Sequence, residues 1–496
     1  MIKLFQIPTR SSIQTVENLS ERFKELVKQY NQLKDLDENS KKDLVKIKIL
    51  KSEISQKIRQ ILSPLVIRRS RLDLQNIDRY REDLKNQNIE FPIRRDPVLI
   101  NYELNELTDI YIETLETISP KNGLKVFQGT RYKSTSYVKA ECIADIQERE
   151  DIEDKQLLKT ALENIADFMK RLLVRRFESC IYSFMSSLDH MIDSTVMFKK
   201  YYEIGVVPIF KKGNIPDLED FLSDSDDQFG FEEINNLPDV KNLKSKGLWF
   251  IKKEELKDTY YKHLINDIEI LKNLRDKWKK ILTKDFNDPK LNKFKEVLRE
   301  QIKSDPKRKI LIFSEFADTA DYLFTSLNKE FKIFKYTSAD SSEKRRDIIK
   351  ENFDASNKNK KDDFDILVAT DAIAEGFNLN RAGTIFNYDI PYNPTKVIQR
   401  IGRINRINKK MFDELYIYNF FPTETGEKEV RTKKIAKLKI SMFKALFGDD
   451  TKVLTKDEEI ESFFIDEMKE LDVQEENREI YFENMIYNLR DQKPEL

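Results

Sequence analysis

Short apolar runs alternate with segments of helical period from Pro306 to Asn419, and this alternation constrains the fold more than any other property of the chain. Strands are predicted at Ile310–Phe313, Phe331–Tyr336, Ile366–Val368, Thr384–Tyr388 and Leu415–Asn419. Helices are predicted at Ala317–Leu327 and Ser342–Phe353, the second with Asp340 or Ser341 as a cap. Such β-α-β repetition implies an α/β fold built on a mostly parallel sheet. Ligands of these sheets collect at the carboxyl ends of the strands. The residues just past each apolar run are therefore the ones to read for chemistry.

The flanking sequence has a different period. Leu19, Phe23, Leu26, Val27, Tyr30 and Leu33 share one helical face, and a second helix is predicted over roughly Lys42–Leu62. Residues 101–303 read as mainly helical, with one amphipathic face begun by Leu104, Leu107, Ile110 and Tyr111 and another by Leu158, Leu162 and Ile165. Asp217–Glu233 is acidic and lacks a period, which reads as a loop. The tail beyond Glu427 reads as helical, and Thr451–Leu496 carries 14 acidic and 6 basic residues, a solvated surface or a shield for a basic groove. The expected division is 1–100, 101–303 as a helical insertion, 304–426 as the α/β lobe and 427–496 as a charged helical tail.

Composition removes several classes of function. Lysine plus arginine and aspartate plus glutamate both total 88, so any attraction to nucleic acid must come from local clusters. Cys142 and Cys180 stand alone, as do His190 and His263, so neither a disulfide framework nor a metal cluster is expected. Isolated cysteines fit a reducing compartment, and a cytoplasmic location is the expectation. No stretch reaches 18 uncharged apolar residues, so no membrane span is expected.

Three motifs lie at the ends of the predicted strands or on the helix that follows them: KILIFSEF (Lys309–Phe316), ATDAIAEGFNL (Ala369–Leu379) and QRIGRINR (Gln399–Arg406). Arg403 and Arg406 are three apart and share a face if that segment is helical. The order and spacing resemble motifs IV, V and VI of superfamily 2 helicases and translocases, above all the DNA-translocating Swi2/Snf2-like branch and its bacterial helicase-related members. The resemblance covers Lys309 to about Phe421. It extends more weakly to LVIRRSRLD (Leu65–Asp73), where Arg68 and Arg69 match an arginine pair at the junction of two ATPase lobes, and to RRFESC (Arg175–Cys180). It implies a single RecA-like second helicase lobe with a large helical insertion, residues 1–100 being the rest of an interlobe junction.

By the same resemblance, Arg403 and Arg406 face nucleotide bound on the opposite lobe and are the candidate catalytic residues. Gln399, Arg400, Gly402, Asp371, Glu375 and Gly376 are candidate nucleotide or interlobe residues, Gly402 removing a side chain where the lobes approach. Gln399 stands where RNA-helicase relatives commonly carry histidine, which favours DNA. Ser314, Phe316, Thr337 and Thr370 are candidate nucleic-acid contacts. Asn387, Asp389, Pro391, Asn393 and Pro394 in NYDIPYNP also match the family. No GxxxxGK[ST] phosphate loop and no acidic DExx box occurs in the 496 residues. ATP and Mg²⁺ are accordingly expected only in a complete two-lobe enzyme, whose first lobe is expected upstream of Met1 or on a separate chain. Duplex DNA is the expected partner of the complete enzyme. A non-catalytic DNA-binding or partner-regulating lobe is the alternative.

Overall fold

A computed structural model describes residues 19–36, 41–62, 78–87, 89–118, 127–150, 165–210, 248–283, 286–340, 342–374, 376–391, 395–405, 411–421 and 423. The chain divides into two compact units. The smaller contains helices α1 (Leu19–Asp35), α2 (Lys41–Leu62) and α3 (Asp78–Asn86) and a two-residue strand β1 (Ile93–Arg94). Leu26 and Leu33 of α1 close on Ile54 and Ile61 of α2, the helical face that the leucine and isoleucine spacing predicts.

The larger unit spans residues 97–406 and 411–436. It opens with β2 (Val98–Ile100) and α4 (Leu107–Ile118), followed by a 3-10 stretch at Thr130–Tyr137. Then come α5 (Ile143–Glu150), α6 (Ile165–Ser179), α7 (Ile181–Glu203), the strands β3 (Val206–Phe210) and β4 (Leu248–Lys252), and α8 (Thr259–Ile281). The α/β portion follows as α9 (Pro289–Ser304), β5 (Lys309–Phe313), α10 (Ala317–Leu327), β6 (Ile333–Tyr336), α11 (Glu343–Phe353), β7 (Ile366–Ala369), β8 (Ala382–Asn387), α12 (Thr395–Ile404) and β9 (Glu414–Phe420).

Within this unit the sheet runs β2-β9-β8-β5-β7-β6, and every one of those pairings is parallel. All five residues of β5 are buried, as a central strand covered on both faces requires. The parallel α/β lobe expected from the alternation of strands and helices is therefore present, with each strand within two or three residues of its predicted bounds. Ser342 caps α11, one residue past the expected cap.

The helical region holds two elements that helical period did not predict. β3 and β4 form an antiparallel pair, Pro208 opposite Phe250, and together with α7 and α8 they enclose Val207, Ile251, Tyr202 and Tyr260. α9 falls inside the expected insertion, yet it packs on the sheet. Phe294 lies edge-on to Phe386 and Tyr388, with ring centroids 5.3 and 5.2 Å away. The lobe thus begins at α9, not at residue 304, and β2 adds an edge strand from a segment placed in the first division. An amphipathic period shows that a helix has a buried face; it does not say what that face meets. Asp288 starts α9, its Oδ1 accepting from the amides of Lys290 and Leu291 at 2.9 and 3.1 Å, with Pro289 at the first helical position.

The rest of the helical region has its own core, centred on Trp278 of α8 with Tyr111, Phe177 and Phe184. The Trp278 indole donates to Thr114 Oγ1 at 2.9 Å, which satisfies its one buried polar group. Both cores belong to one compact unit, so the helical region and the lobe are not independent bodies. Replacing Phe294 by alanine leaves a cavity between α9 and the sheet. The expected loss is about 3–5 kcal/mol, read as a lower midpoint in urea denaturation.

Candidate functional site at the carboxyl edge of the sheet

The carboxyl ends of β5, β7 and β8 carry Ser314-Glu315, Thr370-Asp371 and Tyr388-Asp389, and α12 lies against them. Val397, Arg400, Ile401 and Ile404 form the buried face of α12, a spacing of i, i+3, i+4, i+7. Arg400 therefore occupies a core position and is fully buried (0% exposed). A buried guanidinium needs partners for its fork of donors, and the strand ends supply them. Nε and Nη2 donate to Asp371 Oδ1 and Oδ2 at 2.6 and 3.1 Å, and Nη1 donates to Asn387 Oδ1 at 3.0 Å. The carbonyl of Asp389 lies 3.4 Å from Nη1, and the Phe313 ring sits under the guanidinium at 5.1 Å. Burial works against the charge, but Asp371 outweighs it and raises the Arg400 pKa further above its usual value. Lys396 adds a second cation 3.7 Å from Asp371. Asn387 is fixed in turn by donating to Asn419 Oδ1 at 2.7 Å.

Arg400 and Asp371 are spent on each other, and so they join the loop after β7 to α12. The outer face of α12 carries the other candidates. Gln399 and Gly402 are exposed and Arg403 is half-buried in the last turn, its Nη1 3.4 Å from the Phe377 carbonyl. The Arg403 carbonyl accepts from the amide of Leu379 at 3.0 Å, a second tie between α12 and the loop after β7. Among the described residues, a β-carbon at Gly402 would meet nothing within 4 Å, so none of them requires glycine there. Gly376 is different: its φ of +82° lies in the left-handed region that favours glycine. Arg68, Arg69, Glu375 and Arg406 lie outside the described residues, so the shared face expected for Arg403 and Arg406 rests on sequence alone.

The four expected nucleic-acid contacts all point inward. Ser314 is fully buried and its hydroxyl donates to Asp389 Oδ2 at 2.6 Å. Thr337 is buried and closes a turn, its amide and hydroxyl both donating to Asp340 Oδ2 at 3.1 Å. Thr370 Oγ1 accepts from the Ala372 amide at 3.4 Å and is likewise buried. Phe316 is buried beneath the Arg176 guanidinium, 4.5 Å from the ring centroid. Their hydroxyls and ring shape the strand-end loops, and a phosphate would have to meet other groups of those loops.

Sequence reading gave Arg175–Cys180 no task, yet nearly every residue of that run docks the helical region onto the strand ends. Arg175 pairs with Glu315, both buried. Arg176 lies 3.2 Å from Asp318. Ser179 Oγ donates to Asp389 Oδ2 at 2.6 Å, and Cys180 Sγ lies 3.3 Å from Thr319 Oγ1. Glu178 accepts from the Thr423 amide and hydroxyl at 2.9 and 2.7 Å and from the hydroxyls of Tyr102 and Tyr111. Burial raises the Glu178 pKa against the pull of these donors. Lys290 Nζ donates to the carbonyls of Glu178 and Ser179, and its own pKa is lowered by burial. Four charged side chains, Arg175, Glu178, Lys290 and Glu315, are thus buried at one joint. Nothing in their spacing announces this, because they come from three separate stretches of chain, Arg175 and Glu178 on α6, Lys290 on α9 and Glu315 after β5.

Comparison with known proteins agrees on the lobe. Residues 290–408 match the helicase conserved C-terminal domain. The matched segment starts with α9, as the packing does. An uncharacterized ATP-dependent helicase, YqhH, of Bacillus subtilis (strain 168) is 30% identical over 148 residues, which is 30% of this chain and 25% of that protein. The ATP-dependent RNA helicase RhlB of Shewanella amazonensis is 25% identical over 180 residues, 36% of this chain and 39% of its own. The DEAD-box ATP-dependent RNA helicase CshA of Bacillus cereus is 26% identical over 157 residues, 30% of this chain and 28% of its own. The chain spans between a quarter and two fifths of the length of these relatives. Among solved structures, the C-terminal part of the Fun30 ATPase domain aligns with a TM-score of 0.33 at 16% identity, covering 72% of this chain and 99% of that one. The Hef helicase domain of Pyrococcus furiosus aligns with a TM-score of 0.30 at 17% identity, covering 70% of this chain and 59% of that one. Among the described residues no group of histidines, cysteines and carboxylates is arranged to hold a metal, and no helix is long and apolar enough to cross a membrane.

The buried pair gives a direct test. Arg400→Ala leaves the half-buried Asp371 carboxylate with the more distant Lys396, and should cost on the order of 3–5 kcal/mol of stability. Arg400→Lys should recover little, because an ammonium cannot reproduce the two-pronged contact. Chemical denaturation of the purified variants reads both, and a midpoint unchanged in Arg400→Ala would contradict the assignment.

Proposed function

We propose that this chain supplies the second lobe of an ATP-dependent, nucleic-acid-translocating enzyme of Swi2/Snf2-like type, working with a phosphate-loop lobe in cis or in trans. The observation that carries this reading is α12. Its inner face is locked by Arg400 to Asp371, and its outer face carries Gln399, Gly402 and Arg403 at the carboxyl edge of a parallel sheet. An arginine on a rigid helix can meet a developing phosphoryl charge without reorganising. The match of residues 290–408 to a helicase C-terminal domain supports the same use.

ATP and Mg²⁺, bound on the opposite lobe, supply the transferable phosphoryl group and the charge that organises it. This chain's part is narrower. Arg403, with Arg406 three residues on, donates to the phosphoryl oxygens. Gly402 leaves room for the facing lobe. Asp371 and Gly376 order the loop after β7, so that nucleotide state and nucleic-acid track share one element. Contacts to backbone phosphate would make translocation largely indifferent to base sequence.

Duplex DNA is the proposed track because Gln399 stands where RNA-helicase relatives commonly carry histidine. The similarity to proteins named RNA helicases keeps RNA as the second reading. The chain alone should show no sustained ATP hydrolysis, since no phosphate loop occurs in its 496 residues. Combined with a phosphate-loop lobe, it should hydrolyse ATP when duplex DNA is added, less so with RNA, and less as salt rises. Arg403→Ala and Arg406→Ala should each lower kcat about a hundredfold with nucleic-acid affinity little changed. Equal turnover in both variants, with folding verified, would remove the catalytic assignment; greater stimulation by RNA would replace DNA as the track.

A further inference from the structure

The Asp389 carboxylate receives three hydrogen bonds from two parts of the molecule. Ser314 Oγ and the Glu315 amide reach it from the end of β5, each at 2.6 Å, and Ser179 Oγ reaches it from the end of α6, also at 2.6 Å. A carboxylate only accepts, so both serine hydroxyls must donate. Ser179 then has only acceptor capacity left for Thr319 Oγ1, 2.7 Å away on α10, and Thr319 must be the donor. The proton order is fixed along the chain Thr319, Ser179, Asp389. The carbonyl of that same Asp389 faces Arg400 Nη1, and Asn387, two residues before it, accepts from the same nitrogen. Asp389 therefore sits between the helical region on one side and the buried arginine of α12 on the other. Ser179, Ser314 and Thr319 are all fully buried, and Asp389 nearly so, which leaves water little access to replace a lost bond.

We infer that Ser179 and Asp389 are positioning residues through which the helical region sets the seat of α12, and with it the placement of Arg403. Neither residue lies on the outer face of α12, and neither is among the candidate catalytic residues. The neighbouring contacts of the run fix the two bodies by charge: Arg175 pairs with Glu315, and Arg176 with Asp318. Ser179 bonds the segment between β8 and α12 directly. Removing its hydroxyl leaves Asp389 with the two lobe donors, free to follow β5 without reference to α6. The consequence for turnover rests on the reading of α12 as the helix that faces nucleotide; the mechanical coupling does not.

Hydrogen exchange on the full chain separates the two. In Ser179→Ala the amides of residues 395–405 should exchange about tenfold faster, as expected for loss of one buried bond to a charged acceptor. The amides of α8, which share the helical region but not this joint, should stay at the wild-type rate. Ser179→Thr, which keeps the hydroxyl, should restore protection of α12. If Ser179→Ala does not fold, Ser179→Cys keeps the volume with a weak donor and should show the same local loosening. Unchanged exchange in α12 in the folded variants, or a uniform rise over the whole chain, would overturn the inference. In the reconstituted two-lobe enzyme the loosened helix should lower kcat with KM for ATP unchanged. Loosened exchange with unaltered turnover would uphold the coupling and remove the nucleotide-facing role of α12 instead.

Discussion

The ion pair between Arg400 and Asp371 is the interaction on which the rest of the site depends. It places a full positive charge inside a parallel-sheet lobe, and a charge there is tolerated only when its hydrogen bonds are met. Meeting them fixes much else. Asp371 must stand at the end of β7 with its carboxylate square to the guanidinium. Asn387 must turn its oxygen inward at the end of β8, which Asn419 enforces from β9. The ends of β7 and β8, which flank β5, are thereby registered against one helix, with β9 bracing β8, by contacts more directional than apolar packing provides. The arginine that could act on a ligand, Arg403, inherits its position from the arginine that cannot.

The same logic extends outward to the helical region. Its attachment to the lobe is polar as well as apolar, with Arg175, Glu178 and Ser179 reaching the strand ends and the segment after β9, and Lys290 of α9 reaching back to the carbonyls of Glu178 and Ser179. Breaking such a joint exposes or orphans buried charges, whereas sliding along an apolar face costs much less. A body attached in this way moves with the lobe it is bonded to. Such a polar joint fits a protein whose proposed work is cyclic motion of one lobe against another.

Much of the lobe was legible in the sequence, and for identifiable reasons. Buried parallel strands leave short apolar runs, and Ile310–Phe313 and Ile366–Val368 are hard to read any other way. The helical period of α12 was equally clear, and it held the clue to Arg400: with Val397, Ile401 and Ile404 on one face, an arginine at position 400 falls among them. Grouping Arg400 with nucleotide or interlobe residues by family resemblance left that apolar face unread. Ser314, Thr337 and Thr370, expected to contact phosphate, have their hydroxyls engaged inside the lobe. A hydroxyl at a strand end looks like a phosphate contact, but the sequence does not reveal a carboxylate such as Asp389 or Asp340 waiting to receive it. α9 was assigned to the wrong body because its amphipathic face is indifferent to whether helices or a sheet covers it. The joint at Arg175–Cys180 was illegible because its partners on the lobe lie more than a hundred residues away in sequence.

A double-mutant cycle on Arg400 and Asp371 tests the central claim most directly. Arg400→Met, Asp371→Leu and the double variant would be compared with the wild type by urea denaturation. If the pair organises the strand ends, each single replacement leaves the partner charge unmatched, and the double replacement costs little more than either alone, giving a coupling about as large as one single loss, about 3–5 kcal/mol. Strictly additive losses would mean that the two side chains act independently, and that α12 is held in place by its apolar face alone.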